Sequence, residues 1–134
     1  MLLLPAMCLL MLSVSGCDNR FAWAGEWHGE RQLPDSAESD TYMLNTARSI
    51  RLEIAPEMTA RVQDAGITMD GYVRGGTESA EFHVQNLLGR PVETVPTFNP
   101  QPIRLEVVTE DEITYFNPNG FDQGPIVLRR QSKP

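Results

Sequence analysis

Phe21-Ala22-Trp23-Ala24-Gly25-Glu26-Trp27-His28-Gly29-Glu30-Arg31-Gln32-Leu33 decides the fold of this chain. Successive side chains of an extended strand point to opposite sides, so Phe21, Trp23, Gly25, Trp27, Gly29, Arg31 and Leu33 share one face. The other face carries Ala22, Ala24, Glu26, His28, Glu30 and Gln32. One side holds both tryptophans and the other is small or polar, the pattern of a strand with one buried face.

The same period of two recurs towards the C-terminus. Ser49 to Ile54 alternates cleanly and stops at Ala55-Pro56; Thr59 to Gln63 follows, with Ala60 and Val62 inward. Asp64-Ala65-Gly66 supplies a reversal into Ile67–Arg74, which bends at Gly71. Gly75-Gly76-Thr77-Glu78 turns into Ala80–Gln85. Ile103–Val108 and Glu112–Phe116 flank Thr109-Glu110-Asp111 as a hairpin, and Ile126–Arg130 is the last strand. Between these lie two long irregular segments, Pro34–Ala47 and Leu87–Pro102. Within them, Tyr42–Ala47 reads as a short helical turn or an irregular lid, and Val92–Val95 as a short strand. No segment from Trp23 to Gln85 has a sustained helical period. Seven or eight short strands with closely spaced turns predict an all-β fold, an antiparallel up-and-down barrel of about eight strands with a β-sandwich as the alternative. The expected inward residues are Ile50, Leu52, Ile54, Val62, Met69, Phe82, Val84, Leu105, Val107 and Tyr115, bulky enough to predict a filled interior.

Upstream of the deciding stretch the composition changes abruptly. Residues 1–16 contain no charged side chain, and Leu2–Val14 is too short for a bilayer-spanning helix, which needs roughly 20 apolar residues. A secretory signal is the better reading. Its expected basic start is missing, so the charged region is minimal or the true start lies upstream of Met1. Val14-Ser15-Gly16-Cys17 resembles the lipobox of bacterial lipoproteins, in which the peptide is cut before a cysteine that carries acyl chains. That resemblance implies lipidation at Cys17, a signal peptide over residues 1–16, a short tether over 17–22 and one domain over 23–134. It also implies membrane attachment through acyl chains on the periplasmic side of a bacterial envelope. Asp18 resembles the signal for inner-membrane retention, which slightly favours that membrane over the outer one.

Every Lys, Arg, Asp and Glu lies after Cys17, so the formal charge of −7 belongs to the processed domain. Such a domain is repelled by phosphate backbones and anionic lipid, which argues against nucleic acid as a partner. Cys8 would leave with the signal and Cys17 would be acylated, so the domain has neither a free thiol nor a disulfide. Its stability must come from packing.

Gly25-Glu26-Trp27 on the first strand and Arg129-Arg130 on the last resemble the calycin arrangement of lipocalins, fatty-acid-binding proteins and avidin-like barrels. In those families a Gly-x-Trp closes the barrel floor and a basic side chain from the last strand crosses the indole. The resemblance implies a structural, barrel-closing role for Gly25, Trp27 and Arg130; Arg130 is preferred because it alternates in phase with Leu128 and Ile126. Gly25-x-Trp27-x-Gly29 is also similar to the opening of haem-binding nitrobindin barrels. Those supply a late histidine, and here none follows His83.

Signs of chemistry are sparse. His28 and His83 lie on separate strands without metal-ligand spacing, so neither a zinc site nor any other metal or cofactor is expected. No Gly-x-Ser-x-Gly or phosphate-binding loop occurs. Glu110-Asp111-Glu112 reads as a solvated acidic tip that discourages edge association, in preference to a calcium loop. The expectation is a non-catalytic, lipocalin-like envelope lipoprotein that binds an envelope protein or a small apolar ligand. The alternatives are an envelope-tethered lysozyme or protease inhibitor, and an enzyme with an unfamiliar site.

Overall fold

The computed structural model describes residues 20–33, 41–120 and 122–131. The expected signal peptide over residues 1–16, Cys17, Asp18 and residues 34–40 lie outside the described residues. In chain order the elements are β1 (Gly25–Glu30), α1 (Thr41–Arg48), β2 (Ser49–Ile54), β3 (Thr59–Asp64), β4 (Ile67–Gly75) and β5 (Ser79–Leu87). They continue with β6 (Arg90–Pro91), a 3-10 turn (Val92–Thr94), β7 (Ile103–Thr109), β8 (Glu112–Phe116) and β9 (Ile126–Arg130).

Neighbouring strands run in the order β4-β3-β2-β1-β9-β8-β7-β5, and β4 pairs with β5 to close the ring. All pairings are antiparallel, so the fold is a closed eight-stranded up-and-down barrel, with β6 a two-residue extension on β5. Closure removes the unpaired strand edges that an open sheet would expose.

Alternation fills the interior. Trp27, Tyr115, Phe82, Ile50, Leu52, Ile103, Leu105, Ile113, Leu128 and Val62 are all fully buried. Ile54 and Met69, expected inward, are buried as well. Val84 and Val107 are only partly buried but pack on the core. Both sit beside register shifts, one between Asp70 and Gly71 on β4 and one between Val107 and Thr109 on β7. A bulge breaks strict alternation and turns neighbouring side chains off the core axis.

Two details differ from the sequence expectation, and a third decides between the helical turn and the irregular lid expected over Tyr42–Ala47 in favour of the helix. The alternation from Phe21 to Leu33 is laddered only over Gly25–Glu30, yet Trp23 and Arg31 beyond those limits are still buried. Val92–Val95 is a 3-10 turn rather than a strand: the Val95 amide donates to the Val92 carbonyl at 3.1 Å. Pro91 and Pro96 bracket it and have no N–H for a ladder. Thr41–Arg48 is a true helix, although none of its residues is buried.

Up-and-down topology gives the barrel two unlike ends. The chain entering β1 and the short turns β2–β3, β4–β5 and β7–β8 lie at one end, the entry end. Those turns carry Glu57, Glu78, Glu110 and Asp111. Helix α1, the β3–β4 turn and the long connections 88–102 and 117–125 lie at the other, the loop end.

Candidate functional site

The entry end is closed by aromatic rings and one guanidinium. Phe21 stacks on Trp27, with centroids 5.9 Å apart, and meets Trp23 edge-on at 4.7 Å. The Arg130 guanidinium carbon lies 4.2 Å from the centre of the Trp27 ring and 5.7 Å from that of Phe21. Its nitrogens donate to the carbonyls of Ala24 (3.0 Å), Ala22 (2.7 Å) and Glu110 (2.9 Å). The cation covers the ring face while its edge is satisfied by backbone. Both indoles are also bonded: Trp27 Nε1 donates to the Trp23 carbonyl and Trp23 Nε1 to that of Gly76. Gly25 has φ of 141°, and a Cβ there would come within 3.0 Å of the Arg130 guanidinium. That backbone conformation is open mainly to glycine. The structure thus brings Gly25, Trp27 and Arg130 into one contact set, whereas Cys17 lies outside the described residues.

Sequence reasoning missed the second constellation, at the loop end. Arg31 is inside the barrel, its side chain only 3% exposed. Its Nε and one terminal nitrogen form a fork on Asp122, at 2.9 and 3.0 Å, and that nitrogen also bonds Asp64. The other terminal nitrogen donates to the Ala47 carbonyl at 2.6 Å, in the last turn of α1. Tyr115 from β8 donates its hydroxyl to the free oxygen of Asp64 at 2.8 Å. One guanidinium therefore ties together β1, α1, the end of β3 and the 117–125 connection. Burial pulls the Arg31 pKa down, but the hydrogen bonds to Asp122 and Asp64 outweigh it, and the net shift is upward. Burial first, and then the charge and hydrogen bond of Asp64, push the Tyr115 phenol well above its ordinary value. The only sequence signal for this cluster was Arg31 standing in phase with the tryptophans; its acidic partners lie far along the chain.

The loop end is braced a second time. Asn119 Nδ2 donates to the Gln101 carbonyl and its Oδ1 accepts the Gln101 amide, joining the two long connections. Tyr42 and Met43 on α1, Ile67 at the β3–β4 turn and Leu88 beyond β5 all project into solvent here. A groove of about 870 Å³ runs from this end along the seam of β1 and β9, walled by Asp122–Val127.

His28 lies on the outer face of β1, 2.8 Å from Glu26, and His83 stacks on Tyr72 on the outer face of β4 and β5. Among the described residues no group of three or more His, Cys, Asp or Glu is placed to hold a metal ion. Nor is any helix among them long and apolar enough to cross a membrane. Compared with protein-family models, curated proteins and solved structures, the chain finds no match.

Proposed function

We propose that this protein is a bacterial envelope lipoprotein, acylated at Cys17, whose lipocalin-like barrel is a non-catalytic binding module working from its outer surface and loop end. The observation that carries the reading is the contrast between the two ends. The chain arriving from Cys17 reaches the entry end, where Arg20 and Phe21 begin the described residues. The helix, the long connections and the exposed side chains of Tyr42, Met43, Ile67 and Leu88 gather at the opposite end, facing away from such an anchor.

The filled core bears on what is bound. Trp27, Phe82 and Tyr115 occupy the interior that a carrier of apolar molecules would keep open, which favours a surface binder over a carrier. Connections held by a rigid barrel are where binding residues concentrate.

Two changes test the two halves of the proposal. Replacing Cys17 with Ser should move the protein out of the membrane fraction or leave it uncleaved; unchanged fractionation together with globomycin-insensitive processing overturns the lipoprotein half. Replacing the Leu88–Pro102 connection with a short Gly-Ser linker should remove partners cross-linked in the intact envelope. An unchanged partner set shows that this connection is not the binding surface.

A further inference from the structure

Arg51 on β2, His28 on β1 and Arg129 on β9 stand abreast, because the register sets His28 opposite Arg51 on one side and opposite Arg129 on the other. All three line the β1–β9 groove, together with Gln32, Ser49 and Gln131. Two arginines flanking one imidazole make a basic row that is unexpected in a chain of charge −7.

The acids facing the row answer it incompletely. Glu26 takes His28 Nε2 at 2.8 Å but is 3.6 Å from Arg51 Nε, and Glu112 is 3.7 Å from Arg129 Nε. Glu30 also lines the groove. Distances of 3.6 and 3.7 Å are beyond hydrogen-bond range. Neither guanidinium therefore spends a donor on a side chain or carbonyl of the described residues. The contrast with other arginines is sharp: Arg61 holds Asp70 at 2.7 Å, and Arg31 and Arg130 are each bonded to several acceptors. Arg51 and Arg129 side chains are 48% and 73% exposed, so their forks are open to an incoming molecule. Their backbones stand two strand spacings apart, about 10 Å, within reach of two charged groups of one molecule or of a single bridging anion. Planar guanidinium forks match carboxylate and phosphate oxygens in pairs.

We infer that the β1–β9 groove binds a small polyvalent oxyanion, phosphate- or carboxylate-bearing, gripped by Arg51 and Arg129 across His28. A bound anion supplies the hydrogen-bond acceptors that both guanidiniums lack among the described residues. The inference deepens the binding-module reading by naming a ligand class, and it does not depend on acylation.

Calorimetric titration of the full chain in non-ionic detergent, at fixed ionic strength, tests it with three probes: inorganic pyrophosphate, citrate and glycerophosphoglycerol, the deacylated headgroup of phosphatidylglycerol. Saturable binding of at least one probe is expected, and the tightest of them distinguishes free phosphate, carboxylate and lipid headgroup as the source of the anion. Arg51→Gln combined with Arg129→Gln should weaken binding by about tenfold or more. Arg74→Gln combined with Arg104→Gln, on strands β4 and β7, should leave it unchanged. Thermal unfolding shows that each variant is folded, and the probe should raise the wild-type midpoint but not that of the Arg51/Arg129 variant. Binding of every probe weaker than about 10 mM, or equal weakening in both double variants, overturns the inference.

Discussion

Arg31 is the residue on which the loop end depends. Removing one partner from a buried ion cluster leaves the others charged and unpaired, at a cost of about 3–5 kcal/mol. Arg31→Ala should lower stability by about that much, measured by urea unfolding. Arg31→Lys should recover only part of the loss, since one ammonium cannot reproduce a planar fork that meets Asp122, Asp64 and the Ala47 carbonyl together. Tyr115 gives the network a pH dependence. Its folded pKa is raised above the ordinary 10.0, so the folded state keeps a proton that the unfolded state releases. That contribution is fully present below pH 10.0 and is lost as pH rises beyond it. The melting midpoint of the wild type should fall more steeply above pH 10.0 than that of Tyr115→Phe. Parallel curves would show that Tyr115 does not supply this limb. Trp27 and Arg130 were legible in the sequence because Gly-x-Trp is local and the basic pair ends the last strand. Asp64 and Asp122 were not, because an acid on a turn or in a connection reads as solvated until the fold folds it inward.

At the scale of elements, period-two alternation located the eight barrel strands because each has one dry and one wet face, and the burial patterns of β2 and β3 alternate without a break. Helix α1 was harder to read for the same reason inverted. It buries no residue, so it has no apolar stripe, and a helix of eight residues is marginal alone. What holds it is polar: the Ala47 carbonyl on Arg31, with Arg48 in the last turn favourably placed on the helix dipole. The bulge in β4 is the other point at which an element depends on detail. A Cβ at Gly71 would stand 1.9 Å from the His83 carbonyl oxygen, backbone that cannot rotate away. Gly71→Val should therefore force β4 and β5 apart and destabilise the fold by about 1–3 kcal/mol or more, read as a lower midpoint in thermal unfolding. A midpoint within error of the wild type would mean that the bulge relaxes freely.

For the whole molecule, the decisive property is polarity from end to end. Short acidic turns and the incoming chain occupy one end; the helix and long connections occupy the other. If Cys17 carries acyl chains, only Asp18 and Asn19 separate it from the described domain, a reach of at most about 14 Å from Cys17 to Phe21 when extended. The acidic turns then face the lipid at close range, where repulsion from an anionic surface keeps the domain upright and its loop end outward. Alternation and turn chemistry alone determined the strands, the inward side chains and the all-β class, because those depend on contacts between near neighbours in sequence. The lipobox resemblance and the charge are likewise properties of the string of residues. Tertiary structure alone decided that β9 meets β1 to close the ring and that Phe21, Trp23, Trp27 and Arg130 together close the entry end. It also brought Arg31 to Asp64 and Asp122, and left the Arg51 and Arg129 guanidiniums abreast without a hydrogen-bond acceptor among the described residues. These outcomes join residues dozens of positions apart, and a pairing at that separation is set by the register of strands between them, which no local pattern records.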